Sequence, residues 1–265
     1  MAVRDALGRS VELSGPPKRI VSLVPSLTEA IFAFGGGERV VGVTHFCLEP
    51  WPEVRSRPRV GGTKTVDVAR VLALSPDLVV ASAEENRPEH VEAIAETGIP
   101  VYVTLPTTVV GALRMLEELA TMLGLEGAAR PMLEASRRVL RETQAIVAGA
   151  PRPRVFCPIW RDPWMTIGPG TYMHDLIATC GGDNVFADAG ERYPAVELEE
   201  VARRRPQVVL LPSEPYRFRP RHWEELAAAG LGEARAHFVD GRLLCWYGPR
   251  IPEAILTVRR LLLGV

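Results

Sequence analysis

Residues 107–149 read TTVVGALRMLEELATMLGLEGAARPMLEASRRVLRETQAIVAG and form the longest run with helical periodicity in the chain. Apolar side chains recur at helical spacing, and strong helix formers predominate. Gly124 predicts the end of a first helix, and a second helix is predicted from about residue 126 to residue 148. At 1.5 Å per residue, the second helix would be roughly 30 Å long, about the width of a small domain.

The sequence before this stretch resembles the sequence after it. Residues 69–82 read ARVLALSPDLVVAS, and residues 200–213 read EVARRRPQVVLLPS. Each predicts a short helix, a proline that ends it and an apolar strand. We therefore predict an α/β fold with two Rossmann-like lobes, whose central sheets are flanked by helices and which are joined by one long backbone helix. The predicted parts are an N-terminal α/β lobe (1–106), a linker with the backbone helix (107–149) and a C-terminal α/β lobe (150–265). A single doubly wound domain is the alternative.

Two local features are predicted from individual residues. Ser26 precedes a helical pattern at 27–34 and is a good N-cap, because its hydroxyl can accept a backbone N–H in the first turn. Residues 243–246 follow a glycine and are apolar, which predicts a strand. Better defined patterns predict a strand at 40–43 and helices at 172–179 and 251–263.

Composition excludes several classes of protein. The net charge is −1 at pH 7, which gives no basic surface for nucleic acid. No run of 18 apolar residues predicts a membrane span, and the N-terminus carries no signal peptide. The chain is then either cytoplasmic or begins after a removed signal. The four cysteines are far apart, so no zinc site is predicted, and their pairing cannot be deduced. They are best explained as small buried apolar residues.

No catalytic motif is present. The sequence has no nucleophile elbow, HExxH, phosphate loop or dinucleotide fingerprint. The histidines are dispersed, which favours neither a catalytic site nor a metal site. Only His45 follows a predicted strand, where a ligand-binding side chain could lie, and it is otherwise an ordinary loop residue.

Aromatic residues, by contrast, gather in predicted loops at strand ends. The tryptophans are Trp51, Trp160, Trp164 and Trp246, and the tyrosines are Tyr193, Tyr216 and Tyr247. Flat rings with nearby arginines such as Arg250 suit a large, planar, partly polar ligand. Alternatively, some rings pack loops onto the core, and for Trp164 and Trp246 both roles are left open.

Residues 19–29, RIVSLVPSLTE, resemble the opening of the helical-backbone (class III) solute-binding proteins of ABC importers. Five further segments match that family in order. They are PRVGG (58–62), LSPDLV (74–79), PWMT (163–166), CGGDNVFAD (180–188) and WYGPR (246–250). Among the branches of the family, the chain is most similar to the cobalamin-binding type.

The resemblance implies two lobes with little hinge closure and a ligand held in the cleft between them. It further implies a non-enzymatic, monomeric protein that carries a corrinoid or similar metal chelate to an ABC importer permease. The chelate would be a transported ligand, with no resident cofactor. A protein of this type is periplasmic or otherwise extracytoplasmic. A ferric-siderophore or haem receptor is the nearest alternative, and a cytoplasmic corrinoid-handling protein or enzyme on the same scaffold is the alternative from another class.

The family also implies where the permease docks. Its members usually offer one glutamate on each lobe to arginine pockets of the permease. Glu199 fits the second-lobe glutamate, whereas the matching first-lobe position is Ala69, with Asp67 two residues earlier. The expected docking residues are therefore Glu199 and Asp67. A carboxylate at the start of a helix is otherwise explained by its favourable interaction with the helix dipole.

Overall fold

The computed structural model describes residues 2–264, which divide into two compact units. Unit 1 holds the chain through Leu105 together with Ala112–Glu134 and Tyr247–Pro249. Unit 2 holds Pro106–Gly111, Ala135–Trp246 and the chain from Arg250 onward. Neither unit is a continuous length of sequence, because short segments from distant parts of the chain complete each of them.

Unit 1 is built on a four-stranded parallel sheet of order β4-β3-β5-β6. The strands are apolar and almost wholly buried, as expected for a parallel sheet covered on both faces. They are β3 (Ile20–Ser22), β4 (Val40–Val43), β5 (Leu78–Ser82) and β6 (Val101–Thr104). The helices that follow them are α1 (Pro25–Ala33), α2 (Val68–Ala73) and α3 (Pro88–Ala95). A hairpin of β1 (Ala2–Arg4) and β2 (Ser10–Glu12) precedes the sheet.

Unit 2 repeats this plan with a four-stranded parallel sheet of order β10-β7-β11-β12. Its strands are β7 (Arg154–Phe156), β10 (Asp183–Asn184), β11 (Val208–Pro212) and β12 (Arg235–Val239). An antiparallel pair, β8 (Pro158–Trp160) and β9 (Met165–Thr166), lies beside it. The helices are α6 (Tyr172–Thr179), α7 (Leu198–Arg203), α8 (Pro220–Leu226), α9 (Gly241–Cys245) and α10 (Ile251–Leu263). The predicted α/β class is confirmed, since each unit has a parallel sheet with helices beside it.

The central stretch forms two helices, α4 (Val109–Leu123) and α5 (Glu126–Val147), as its periodicity predicts. Gly124 separates them in a left-handed conformation with φ 64°. By their packing, the residues of α5 up to Glu134 belong to unit 1, and those from Ala135 belong to unit 2. The division into lobes 1–106 and 150–265 with a linker at 107–149 stays a prediction.

Two local predictions are wrong. Helix α1 begins at Pro25, one residue before Ser26, because proline is favoured in the first turn, where no N–H partner is needed. Ser26 is therefore inside the helix, and its buried hydroxyl has no hydrogen-bond partner among the described residues. Residues 243–246 do not form a strand, because Asp240 accepts a hydrogen bond from the Arg242 backbone N–H and starts α9 instead.

The loop after β4 keeps its backbone close to the sheet. It contains a single 3₁₀ turn, Glu53–Ser56, and an isolated parallel bridge joins Val43 to Arg59. Gly61 follows with φ 98°, and a Cβ at that position would lie 2.3 Å from the Thr65 carbonyl oxygen. Only glycine fits such a position, which gives the Gly61-Gly62 pair a backbone role. Across residues 2–264, no helix is both long enough and apolar enough to span a membrane.

Candidate ligand-binding site

Unit 2 brings five rings together at the ends of its strands. Trp160 ends β8, Trp164 precedes β9, and Tyr216, Phe218 and His222 lie on the segment that leads from β11 into α8. We call these five residues the aromatic cluster. Loops at the carboxyl ends of strands are the usual ligand-binding positions of open α/β folds.

The rings of the aromatic cluster form a continuous series of ring–ring contacts. Trp164 stacks on Phe218 with ring centroids 5.8 Å apart and an interplanar angle of 13°. Tyr216 is tilted against Phe218 at 4.9 Å, and Trp160 meets Tyr216 edge-on at 5.5 Å. Offset and edge-on contacts of this kind are the favoured arrangements of aromatic pairs.

The aromatic cluster has a buried side and an exposed side. Phe218 is buried within the core of unit 2, and Trp164 and Tyr216 are half-buried against that core. Trp160 stands outermost and leaves 44% of its surface exposed. A large exposed aromatic side chain supported by buried rings is typical of a binding surface.

Charged side chains hold the edge of the aromatic cluster. Glu225 accepts two hydrogen bonds from Arg161, from Nε at 2.8 Å and from Nη2 at 3.1 Å, and one from Trp164 Nε1 at 3.4 Å. The Arg161 guanidinium carbon lies 6.0 Å from the centroid of the Trp164 ring. The hydrogen bond from Arg161 lowers the pKa of Glu225, so this carboxylate stays ionised near neutral pH.

Within the aromatic cluster, His222 is buried and only 3% exposed. Its Nδ1 accepts the Arg219 backbone N–H at 2.9 Å. Nε2 lies 3.3 Å from the Tyr216 hydroxyl and 3.2 Å from Arg221 Nε. Burial, followed by the charges of Arg221 and Arg161, lowers the pKa of His222 and favours the neutral ring.

Trp246, Tyr247 and Arg250 lie apart from these contacts. Trp246 is buried in unit 2 beneath the Arg250 guanidinium, which lies 5.4 Å from its ring centroid. Tyr247 is buried in unit 1, where its hydroxyl donates a hydrogen bond to Ser82 Oγ at 3.2 Å. Burial raises the pKa of Tyr247, so the phenol stays neutral. These positions favour a packing role for both aromatic rings.

Tyr193 is half-buried in the segment before α7. The Arg192 guanidinium lies 5.4 Å from the centroid of its ring. The place of Tyr193 in a ligand site stays a prediction.

Unit 1 has exposed apolar side chains in the loop after β4. Trp51 is 60% exposed, with the Arg55 guanidinium 5.1 Å from its ring centroid, and His45 is also exposed. Phe46 and Leu48 are equally exposed in the same loop, although nothing in the sequence pattern predicts this. Phe46 and Leu48 lie close to Trp51 in the sequence FCLEPW (46–51). Loop residues, however, have no periodicity from which exposure can be predicted.

The two expected docking residues occupy different positions on their helices. Asp67 is the N-cap of α2, where its side chain accepts the Arg70 backbone N–H and pairs with Arg70 Nε at 3.0 Å. Glu197 is the N-cap residue of α7, and the exposed Glu199 lies two residues later, in the first turn. By this register, Ala69 is the counterpart of Glu199, and Asp67 is the counterpart of Glu197.

The cysteines are all free. Cys47, Cys157 and Cys180 are buried, and Cys245 is half-buried. Burial raises the pKa of Cys157 and of Cys180 to about 12, so both remain thiols. Nowhere in residues 2–264 do three His, Cys, Asp or Glu side chains gather as metal ligands.

Comparison with known proteins identifies the family. The sequence profile of the family described as periplasmic binding protein matches residues 20–225. The chain belongs to the periplasmic binding protein family. This confirms the resemblance inferred from the ordered motifs. Periplasmic binding proteins of this family bind small-molecule ligands and deliver them to ABC permeases.

Individual relatives of this periplasmic binding protein are similar over most of its length. It is 31% identical to the vitamin B12-binding protein of Pectobacterium carotovorum subsp. carotovorum (strain PC1) over 75% of this chain and 72% of that protein. The structure of the periplasmic vitamin B12-binding protein BtuF of Vibrio cholerae superposes with a TM-score of 0.81 at 25% identity, over 94% of this chain and 98% of that chain. The periplasmic haem-binding protein BhuT, in complex with two haems, superposes with a TM-score of 0.80 at 27% identity, over 94% and 98%.

Proposed function

We propose that this chain binds a corrinoid of the vitamin B12 type and delivers it to an ABC importer permease. It acts as a monomeric carrier and catalyses no reaction. The corrinoid is cargo, and the protein needs no resident cofactor and no nucleic acid. It acts in the periplasm or an equivalent extracytoplasmic space. The similar vitamin B12-binding protein of Vibrio cholerae is described as periplasmic.

The names of the relatives support this ligand class. The curated relatives that match over about three quarters of this chain are named vitamin B12-binding proteins. One solved structure with nearly full coverage of this chain carries the same description. Similarity over about three quarters of the chain, rather than over one motif, supports transfer of the general role.

The aromatic cluster is the observation that carries the proposal. A corrinoid is a broad ring system with an apolar face and a polar periphery of amide groups. Stacked and edge-on rings that end in the exposed Trp160 offer an apolar surface of matching character. We assign ligand contact to Trp160, Trp164 and Tyr216 in unit 2 and to the exposed Trp51 and His45 in unit 1.

An arginine of the predicted site suits the polar periphery of a corrinoid. Guanidinium groups donate several hydrogen bonds in a fixed plane and recognise amide or carboxylate oxygens. Arg250, half-buried over Trp246, is the arginine we assign to this task. Trp246 and Tyr247, which are buried, are assigned a packing role, and Tyr193 is assigned to the border of the site.

Docking on the permease is assigned to Glu199. This carboxylate is exposed in the first turn of α7, where no helix cap or ion pair engages it among the described residues. Asp67 is a weaker docking group, because its carboxylate already caps α2 and pairs with Arg70. The unit 1 contact with the permease would therefore be less dependent on charge than the unit 2 contact.

Haem is the second candidate ligand. The haem-binding protein BhuT is as similar in structure to this chain as the vitamin B12-binding protein is. Haem iron takes an axial ligand such as histidine or tyrosine. The exposed His45 and the half-buried Tyr216 are the side chains of the predicted site that could supply one. A ferric siderophore is the remaining candidate of this kind.

Titration separates these candidates. The purified chain is titrated with cyanocobalamin, haemin and a ferric hydroxamate siderophore, by calorimetry and by quenching of tryptophan fluorescence. We expect saturable one-to-one binding of cyanocobalamin and much weaker binding of the other two. Tight binding of haemin with a Soret shift that His45→Ala abolishes would replace the corrinoid proposal with the haem receptor. Tight binding of the siderophore alone would replace it with the siderophore receptor.

A further inference from the structure

Helix α8 contacts the aromatic cluster through two side chains one turn apart. His222 lies against Tyr216 and Phe218, and Glu225 lies against Arg161 and Trp164. Residues three positions apart are neighbours on one side of a helix, so this short helix supports both halves of the cluster. His222 is itself part of the cluster, whereas Glu225 contributes no ring.

The geometry at Glu225 links the loop to Trp164. Arg161 presents two parallel N–H groups to the two carboxylate oxygens, which is the strong two-point form of this ion pair. The Trp164 indole N–H donates to the same oxygen, Oε1, that accepts from Arg161 Nη2. The carboxylate of Glu225 therefore holds both Arg161 and the indole ring of Trp164, which lies three residues later in the sequence.

Trp164 has three kinds of support, and Glu225 provides or maintains two of them. The first is the stacking contact with Phe218. The second is the hydrogen bond to Glu225, and the third is the nearby Arg161 guanidinium, which Glu225 holds in place. A half-buried indole on a loop needs such fixed partners to keep one orientation, because stacking alone allows the ring to slide.

We propose that Glu225 is a positioning residue, which fixes the orientation of Trp164 and so the shape of the ligand-binding face of the aromatic cluster. It acts through Arg161 and Trp164 and does not itself contact the ligand. The expected effect of Glu225 on ligand affinity rests on the proposed function. The orientation of Trp164 in the free protein can be measured without any ligand.

The first measurement is made on the ligand-free protein. Near-UV circular dichroism and tryptophan fluorescence are recorded for wild type, Glu225→Ala and Glu225→Gln, with Trp164→Phe to identify the part of each signal that belongs to Trp164. Glu224→Ala is the matched control, because Glu224 is exposed on the same helix. We expect Glu225→Ala to reduce the Trp164 part of the dichroism, Glu225→Gln to keep more of it and Glu224→Ala to leave it unchanged.

The second measurement is the affinity for cyanocobalamin. Loss of hydrogen bonds to a charged group should weaken binding by about five- to tenfold in Glu225→Ala, with a smaller loss in Glu225→Gln, which keeps an acceptor for the indole N–H. Thermal unfolding of each variant shows whether the folded fraction accounts for any loss. Glu224→Ala should bind as wild type does.

The outcomes separate the two proposals. An unchanged Trp164 signal in Glu225→Ala overturns the positioning role, and so does an unchanged affinity in a protein whose wild type binds cyanocobalamin. If wild type binds no corrinoid while Glu225→Ala alters the Trp164 signal, the proposed function fails and the positioning of Trp164 stands. If Glu225→Ala does not fold, the isosteric Glu225→Gln decides by the same two criteria.

Discussion

Trp160 meets Tyr216 edge-on with ring centroids 5.5 Å apart, and still leaves 44% of its own surface exposed. Trp246, by contrast, is 9% exposed and lies beneath Arg250. Each of these tryptophans comes at the end of a short apolar segment, so the sequence around one resembles the sequence around the other. Their environments differ, because Trp160 lies at the surface and Trp246 is packed in the interior.

Alanine at these two positions should separate affinity from stability. Trp160→Ala should weaken cyanocobalamin binding by about 1–3 kcal/mol, the usual cost of losing an aromatic anchor, with little change in melting temperature. Trp246→Ala should lower the free energy of unfolding by roughly 3–5 kcal/mol through the cavity it leaves, while the folded fraction keeps its affinity. Calorimetric binding and thermal unfolding of the same samples test both. A sharp loss of stability in Trp160→Ala would place that ring in the core.

His222 predicts an acid-sensitive step in stability. Its pKa is lowered in the folded protein, so between the folded value and the ordinary histidine value the unfolded chain binds more protons than the folded one. The contribution of His222 to stability is therefore complete above about pH 6.5 and is lost as the pH falls through the folded pKa. Protonation would also place a donor on Nδ1 against the Arg219 N–H that it now accepts.

His222→Gln isolates this step. Glutamine at the third position of a helix can accept the N-cap backbone N–H without titrating. We expect the melting temperature of wild type to fall more steeply between pH 7 and pH 5 than that of His222→Gln. His45→Gln, at an exposed site, should follow wild type. Parallel curves for wild type and His222→Gln would show that His222 does not titrate in this range.

Tyr247 and Ser82 predict a small, coupled loss of stability. Tyr247→Phe removes a buried hydrogen bond that joins residues 165 positions apart, which should cost about 1 kcal/mol of unfolding free energy. Ser82→Ala should cost a similar amount, and the double variant should cost less than the sum, since both remove the same bond. Urea unfolding of the three variants completes the cycle. Strict additivity would show that the two hydroxyls do not interact.

Charge reversal at Glu199 tests docking. Glu199→Arg should abolish stimulation of the importer ATPase and leave ligand affinity intact, because a reversed charge in a docking pair costs several kcal/mol. Glu253→Arg is the control, since it reverses an exposed first-turn carboxylate on α10. Ala69→Glu, at the counterpart of Glu199 in unit 1, should do no harm and should strengthen docking. Full stimulation by Glu199→Arg would remove Glu199 from the interface.

Much of the fold follows from apolar patterns in the sequence. The strand Val40–Val43 and the helices Tyr172–Thr179 and Ile251–Leu263 have the predicted bounds, because each has clear periodicity and a glycine, proline or cap at its ends. Residues 243–246 gave no such signal. A short apolar run fits a strand or a buried helical turn equally well, and the Asp240 cap decided in favour of the helix.

The candidate site was less predictable. Tryptophans at strand ends pointed to an aromatic surface, but Phe218 and His222 were not recognised as part of it. Their roles depend on contacts with Trp164 and Tyr216 that only the folded chain creates. Glu225 was missed for the same reason, since nothing near it in sequence shows that its partners lie in the loop after β8.

The segment Tyr247–Pro249 affects the order in which the two units can be completed during synthesis. It completes unit 1, although it is translated after nearly all of unit 2. A ribosome that has made the sheet of unit 1 must therefore add more than a hundred further residues before Tyr247 can reach Ser82. Unit 1 therefore emerges first but is completed only after most of unit 2 has been made, and a fragment that ends before residue 247 lacks the last segment of unit 1.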